Sequence, residues 1–481
     1  MHINRKELRF FAWSMLIAAA VLFFCSKSSP GYPVNDWSDA NIYFSIGKGM
    51  TEGRVVYRDL YDHKGPLLYA LHAVCAWISF SDFTGVFVME VLLASAFLYA
   101  AHRLMRLFSH EKAASVLLPV LAVIVYSSFS FSEGDSAEEM ALPLMMATMT
   151  AVCSHFKGGK KEMRAGSLVF HGFLTGCVFW IKFTMIGVHA GLLGWVLVVL
   201  LFRKEWKAFF RSLGWLIAGF ALSTLPWVIY FGLNGAIGDW LKVYLYDNLF
   251  LYSGERAGIV SRVKAMVMAG LDWVGENLRY TVLAFLGLAW FAVREKECRM
   301  AVLLSAFLGA LAVFVGGRSY PYYGLALAGF AVPGLIVAAK AIHPPKWLAP
   351  AALILCVALC PVISHNMNAD YGAPFGSPKE DTMQHRIAAH LPKDASLLNY
   401  GFMDAGFFTA AGVSPNVKYF HQTNVPLQEM KDEQNRYLLE GITDYVVARQ
   451  ELSADVPYEK IAEETSPNFW YEKVYLYRRK P

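Results

Sequence analysis

This chain of 481 residues is short of charge: Asp, Glu, Lys and Arg make up 17% of it, against 56% apolar residues. Soluble domains carry about 25% charge, so a water-soluble globule and a disordered chain are both excluded. Cysteine is sparse and unpatterned. The seven, at 25, 75, 153, 177, 298, 356 and 360, lie in or beside apolar runs, with no metal-ligand spacing and none beyond residue 360. That argues against a disulfide framework and a zinc centre. Repeats and low-complexity tracts are missing, and so is Asn-x-Ser/Thr, which fits a bacterial cell envelope. The net charge of +5 is too small to suggest a nucleic-acid partner.

What the chain has instead is long apolar runs. A spanning helix needs roughly 20 mostly apolar residues, and runs at 8–25, 84–108, 113–131, 139–156, 166–183, 185–203, 208–232, 279–294, 299–315, 320–341 and 346–364 give eleven expected transmembrane helices. The first could be a signal peptide, but Cys25-Ser26-Lys27 offers no small-x-small cleavage site, so it is expected to remain as an anchor. A shorter stretch, Pro66 to Phe80, carries Tyr69, His72 and Ser79 on one helical face and is expected to lie at the membrane interface. With the amino terminus inside, the segments 1–9, 103–112, 157–164, 203–211, 294–299 and 340–346 are cytoplasmic. They hold 19 of the 43 Lys/Arg and only six of the 38 Asp/Glu, as the positive-inside rule requires. Counting 66–80 as a crossing would put the later basic loops outside.

Three large pieces then lie outside: loop 26–82, loop 233–278 and the tail from His365 to Pro481. The expected division is a membrane domain over 1–364 and an extracytoplasmic α/β domain over 365–481. In the tail, helices are expected at Asp381–His390 and Asn424–Glu440, and strands at Ala395–Tyr400, Asp444–Ala448 and Val474–Arg478. The tail's 12 Lys/Arg against 16 Asp/Glu make the outside acidic where the inside is basic.

The chemistry gathers in the first outer loop, with Asp36, Asp39, Arg58, Asp59, Asp62, His63 and Lys64. Carboxylate, imidazole and amine held against low-dielectric walls shift their pKa values readily, as general acid–base work needs. A solvated loop with interfacial aromatics is the plain alternative. An acidic residue after the first helix, followed by Tyr57-Arg58-Asp59-x-x-Asp62-His63-Lys64-Gly65-Pro66-Leu67-Leu68, resembles the GT-C membrane glycosyltransferases. The pattern is most similar to bacterial members related to glycosyltransferase family 39, which includes protein O-mannosyltransferases and lipid A aminoarabinose transferases. That family places a Lys-Pro-Pro or His-Pro-Pro element at the start of a juxtamembrane helix; here Gly65 replaces one proline. The resemblance covers the whole eleven-helix layout, with specific motifs at 35–69, 131–143 and 316–333.

The resemblance implies transfer of a sugar from a polyprenyl-phosphate donor to an acceptor on the outer face, usually with inversion. Inversion needs a base to take the acceptor's proton and fixed positive charge on the departing phosphate. Asp39, eight residues before Gly47, matches the family's loop acid and is the expected base, with Asp36 as runner-up. Lys64 is the expected phosphate ligand, or else a lysine snorkelling to the interface. Arg58 and His63 come second, since either could simply pair with Asp59 or Asp62. In the second outer loop, Glu133 and Glu138 are expected to orient the acceptor or the base's partner; acids at 135–139 could equally cap the following helix. Paired carboxylates there could instead hold a divalent cation, as in the oligosaccharyltransferase branch, but with no Asp-x-Asp in the chain metal independence is the expectation.

Arg318, in Gly316-Gly317-Arg318-Ser319-Tyr320-Pro321-Tyr322, is a lone outer cation suited to gripping phosphate. Tyr320 belongs to the same element, and Tyr322 stands where the family suggests His. Lys182 at the outer end of its helix could meet the same phosphate or snorkel. Glu90, inside a helix, is either functional or simply hydrogen-bonded, and His72, His102, His171 and His189 are read as structural. Loop 233–278, with Trp240, Tyr244, Tyr246 and Tyr252, is read as an amphipathic cover for a lipid groove. Two other classes stay open: a flippase of lipid-linked glycans, which would spread polar residues through many helices, and an O-antigen-polymerase-like enzyme, which would centre on a later loop. The expected partners are the lipid-linked donor, an unidentified glycan, lipid or protein acceptor, and the bilayer.

Overall fold

The computed structural model describes residues 5–252, 258–469 and 473–481. A helix stands in each of the eleven apolar runs. Six helices among the described residues are long and apolar enough to cross a membrane: Arg5–Cys25, Thr84–Phe108, Phe183–Phe202, Trp206–Leu233, Pro321–Ala341 and Leu348–Asn368. That is five fewer than the eleven expected. Glu111–Tyr126, Ala165–Ile181, Leu278–Arg294 and Arg299–Phe314 have only 16 or 17 residues, about 25 Å of helix against a hydrocarbon core of about 30 Å. Ala137–Lys157 is longer but carries Glu138 and Glu139 in its first turn and Lys157 in its last.

The chain divides into two compact units. One comprises Met1–Cys25, Glu90–Pro226 and Arg256–Asn368; the other comprises Ser26–Met89, Trp227–Glu255 and Ala369–Pro481. The tail is thus grouped with the first loop and part of the later one, both of which the sequence reading had placed with the membrane domain.

The first unit is a helical bundle drawn together at glycines. A Cβ on Gly191 would strike the backbone of Leu304 and Ser305 in helix Arg299–Phe314, and Gly287 and Gly334 bring Leu278–Arg294 against Ala331–Ala341 in the same way. Between apolar helices that have no water to expel, close packing of small residues is the main attraction. Outward faces are apolar, with Ile217 and Leu222 more than half exposed, as suits a lipid solvent.

In the second unit, helix Ser38–Thr51 packs against helix Pro66–Ile78 around Ala40, Phe44, Cys75 and Ala76. Pro66 opens its helix at the position where a missing N–H costs nothing. The polar stripe of the second helix faces inward: Tyr69 and His72 are fully buried, while Val74, Trp77 and Ile78 are exposed. His72 Nδ1 is satisfied within the helix by the Leu68 carbonyl at 2.8 Å.

The same unit holds a four-stranded sheet of β1 (Leu397–Tyr400), β2 (Tyr445–Ala448), β3 (Tyr458–Thr465) and β4 (Lys473–Arg479), in the order β1-β2-β4-β3. β1 and β2 are parallel; the other pairs are antiparallel. Three strands lie where the sequence placed them. β3 was missed because it is an edge strand, rich in charge and interrupted by a bulge between Lys460 and Ala462, a pattern that protects an edge from stray pairing and hides the apolar alternation. The two expected helices are shorter than foreseen, Met383–Ala388 and Gln428–Glu440.

Candidate active site

The first loop builds a cluster of named donors and acceptors. Asp39 lies in the first turn of helix Ser38–Thr51, where the helix dipole favours a carboxylate. Tyr43, one turn on, donates its hydroxyl to Asp39 Oδ2 at 2.9 Å. Lys64 Nζ stands 3.6 Å from the same oxygen and 5.7 Å from the centre of the Tyr43 ring.

The backbone of Lys64 is pinned on both sides. Its N–H donates to Tyr69 Oη at 2.9 Å and its carbonyl accepts from Tyr57 Oη at 2.6 Å. Tyr57 itself has φ of 71°, a left-handed conformation costly for a bulky residue. The turn that imposes it closes with Tyr57 N–H on the Leu60 carbonyl at 2.7 Å, and ring contacts to Tyr69 and Phe231 hold the side chain.

Behind Lys64, His63 Nε2 lies 3.4 Å from the ammonium and Nδ1 lies 3.1 Å from Asp62 Oδ1. Tyr69 donates to the other Asp62 oxygen at 2.6 Å. Burial would raise the Asp62 carboxyl, but His63, Lys64 and the Tyr69 hydroxyl together hold it below the ordinary carboxylate range. Burial and then the Lys64 charge push His63 below its ordinary value, against the pull of Asp62. Asn248 fixes the His63 carbonyl at 2.6 Å, and the imidazole lies on the Tyr252 ring at 4.7 Å.

Asp36 is engaged elsewhere. It pairs with Lys27 at 2.6 Å, both side chains are almost fully buried, and the ammonium lies over the Tyr371 ring. Arg58 is exposed, forks onto Asp59 and donates to the Asn234 carbonyl. The pairings that the sequence left open thus resolve as Arg58 with Asp59 and His63 with Asp62.

The first unit holds the remaining candidates. A tight turn with Ser132, Gly134 and Asp135 at positive φ precedes helix Ala137–Lys157. Ser136 caps that helix by accepting from Glu139 N–H at 3.0 Å, and the Asp135 N–H donates to both Glu90 Oε1 (2.8 Å) and Glu139 Oε2 (2.9 Å). Glu90 thus holds the turn, and the acids cap the helix as the structural alternative had it. Glu133 is buried beside the Ser132 hydroxyl. Glu138 pairs with Lys182 at 2.5 Å, with Glu138 Oε2 buried and unbonded, and the Lys182 ammonium sits 3.7 Å from the Tyr323 ring centre. Arg318 donates to Tyr320 Oη at 3.3 Å, and Tyr320 stacks on Tyr322.

Sequence reasoning missed Tyr43, Tyr69, Tyr57 and Lys27. Only the first had a legible signal, the i, i+4 spacing from Asp39 on one helix. Among the described residues, no group of three or more His, Cys, Asp and Glu is placed to hold a metal ion. The cluster can accept a proton at Asp39, which is hydrogen-bonded to Tyr43 and lies beside the Lys64 amine, and can present that amine to an anion.

No family model matches the chain, and no curated protein matches it by sequence. Among solved structures, ArnT from Cupriavidus metallidurans aligns over 98% of this chain and 97% of its own, at 13% identity and a TM-score of 0.61, both in the crystal structure bound to undecaprenyl phosphate and in the apo state. The oligosaccharyltransferase of Archaeoglobus fulgidus, in complex with zinc and sulfate, aligns over 90% of this chain and 67% of its own, at 14% identity and a TM-score of 0.48. The chain thus shares its fold with ArnT, here a multi-helix membrane architecture with a small sheet towards the carboxyl terminus.

Proposed function

We propose that this protein is a membrane glycosyltransferase that moves a sugar from a polyprenyl-phosphate donor to an acceptor hydroxyl or amine, with inversion. The observation that carries this reading is the Asp39–Tyr43–Lys64 cluster, a carboxylate and an ammonium 3.6 Å apart and almost buried. The fold it shares with ArnT, whose crystal structure holds undecaprenyl phosphate, supports the choice of donor.

In the proposed step Asp39 takes the acceptor's proton as the acceptor atom bonds to the anomeric carbon. The bond from that carbon to the phosphate oxygen breaks, and the electron pair leaves with the polyprenyl phosphate. Lys64 turns from Asp39, 3.6 Å away, to the departing phosphate on its four-carbon stem. Asp36 and Arg58 are structural in this scheme. Lys64 supplies the positive charge, so transfer is expected to survive EDTA. Facing of the cluster to the cell exterior rests on the basic segments being inside; labelling of K161C from within and E451C from without sealed cells checks it.

The decisive experiment is transfer in proteoliposomes from a panel of radiolabelled polyprenyl-phosphate sugars. Transfer from at least one, lost in folded Asp39→Asn protein, is the expected result. Full activity in that variant would remove Asp39 as base, and lipid scrambling without transfer from any donor would replace the reading with a flippase.

A further inference from the structure

The first unit contains a groove of about 740 Å³ that the scheme above leaves unused. Helices Thr84–Phe108, Ala137–Lys157 and Ala165–Ile181 wall it, with Phe11 of the first helix. Arg103, Lys160 and Arg164 stand together at one end: the first is near the end of its helix, the second just past the end of the next, the third just before the last. From there the floor runs through Ala100, Ala96, Ala151, Ala147, Pro143 and Leu174. At 1.5 Å per residue, Arg103 to Ala96 is about 10 Å and His155 to Pro143 about 18 Å along the helix axes. The groove therefore reaches about one leaflet deep, half of a hydrocarbon core of about 30 Å.

Its end is rich in positive charge, with Arg103 attracted to Glu7 only at longer range, and its floor is apolar. Among the described residues, Glu162 is the one carboxylate in the lining, and it pairs with Arg211. None of Arg103, Lys160 and Arg164 has a carboxylate within ion-pair distance among the described residues. Polar groups in the floor are already bonded within the protein: Thr150 donates to the Ala100 carbonyl at 3.0 Å, and His171 meets the Thr148 hydroxyl at 3.0 Å. What remains is three cations above an apolar channel, the complement of a phosphate on an acyl chain.

We propose that this groove binds an anionic phospholipid of the bilayer, its phosphate between Arg103, Lys160 and Arg164 and one acyl chain along the alanine-lined floor. Depth selects this occupant: the channel matches an acyl chain of one leaflet, whereas a polyprenyl tail, several times longer, would run out of it.

The test is native mass spectrometry of the full chain equilibrated with equimolar phosphatidylglycerol and phosphatidylcholine. The protein should retain the anionic lipid preferentially, and Arg103→Gln, Lys160→Gln and Arg164→Gln together should abolish the preference, by about fivefold per cation removed. Ala147→Trp, which fills the floor and leaves the charge, should reduce retention of both lipids and serves if the triple variant does not fold. Equal retention of the two lipids by the unaltered protein, or unchanged retention in Ala147→Trp, would overturn the proposal. Displacement of phosphatidylglycerol by equimolar undecaprenyl phosphate would overturn the assignment to a bilayer lipid.

Discussion

Two short regions of the second unit each bring a lysine to an aspartate, and they do so in opposite ways. In the stretch from Lys27 to Asp36 the pair is tight, 2.6 Å, with side chains 1% and 3% exposed. Gly372 lies against it so closely that a Cβ there would strike both partners, and Tyr371 covers the ammonium. From Asp39 to Lys64 the contact is 3.6 Å and both side chains are 10% exposed. A buried ion pair with ideal geometry has little left to offer a ligand, whereas a loose one at the edge of burial can be exchanged for substrate. Asp36 and Asp39 are three residues apart and chemically identical; what surrounds them puts one in a tight buried pair and the other in a looser one.

The comparison can be broken by experiment. Asp39→Asn should give the largest effect, a fall in kcat of up to about 10⁴, the range for a lost general base, with unfolding temperature unchanged. Asp36→Asn should do the reverse. It strands the buried Lys27 charge, costs about 3–5 kcal/mol of stability, and leaves the kcat of whatever protein stays folded near normal. A loss of kcat without loss of stability in Asp36→Asn would erase the distinction between the two pairs. Lys64→Gln should lower kcat by about 10²–10³, as for removal of one group stabilising developing negative charge, and more for donors with poorer leaving groups.

The smallest effect concerns a third lysine of the same unit. Lys48 is buried, donates to the Phe408 carbonyl at 3.0 Å, and burial pushes its pKa down to about 7 against the pull of Asp404 and Glu52. Between about pH 7 and the ordinary lysine value near 10.4 the unfolded chain holds the proton and the folded one does not, so stability rises with pH there, by at most about 1.4 kcal/mol per pH unit. Thermal unfolding of Lys48→Met across that window should show a flatter rise than the unaltered protein.

Much of the molecule was legible before its structure. Apolar length placed a helix in every expected run, because backbone groups in a bilayer have no alternative partners. Length and apolarity together pick out six of the eleven, since four of the others have 16 or 17 residues and where each helix ends depends on its neighbours. The first loop stood out as the site because its charge is so unlike the rest of the chain. Arg58–Asp59 was readable from adjacency, and Asp39–Tyr43 from helical spacing. Lys27–Asp36 was not, since it needs the loop to close beneath Tyr371 and Gly372, more than three hundred residues away.

Sequence alone determined that the chain is a helical membrane protein, because only long apolar runs satisfy a lipid solvent, and that its ionisable chemistry is concentrated between residues 36 and 64. Tertiary structure decided which aspartate is locked and which is available, turned Tyr69 and His72 inward, and assembled the tail with the first loop into one unit. The physical reason is range: hydropathy and helical period act between near neighbours, while burial and the pairing of charges are settled by residues that only folding brings together.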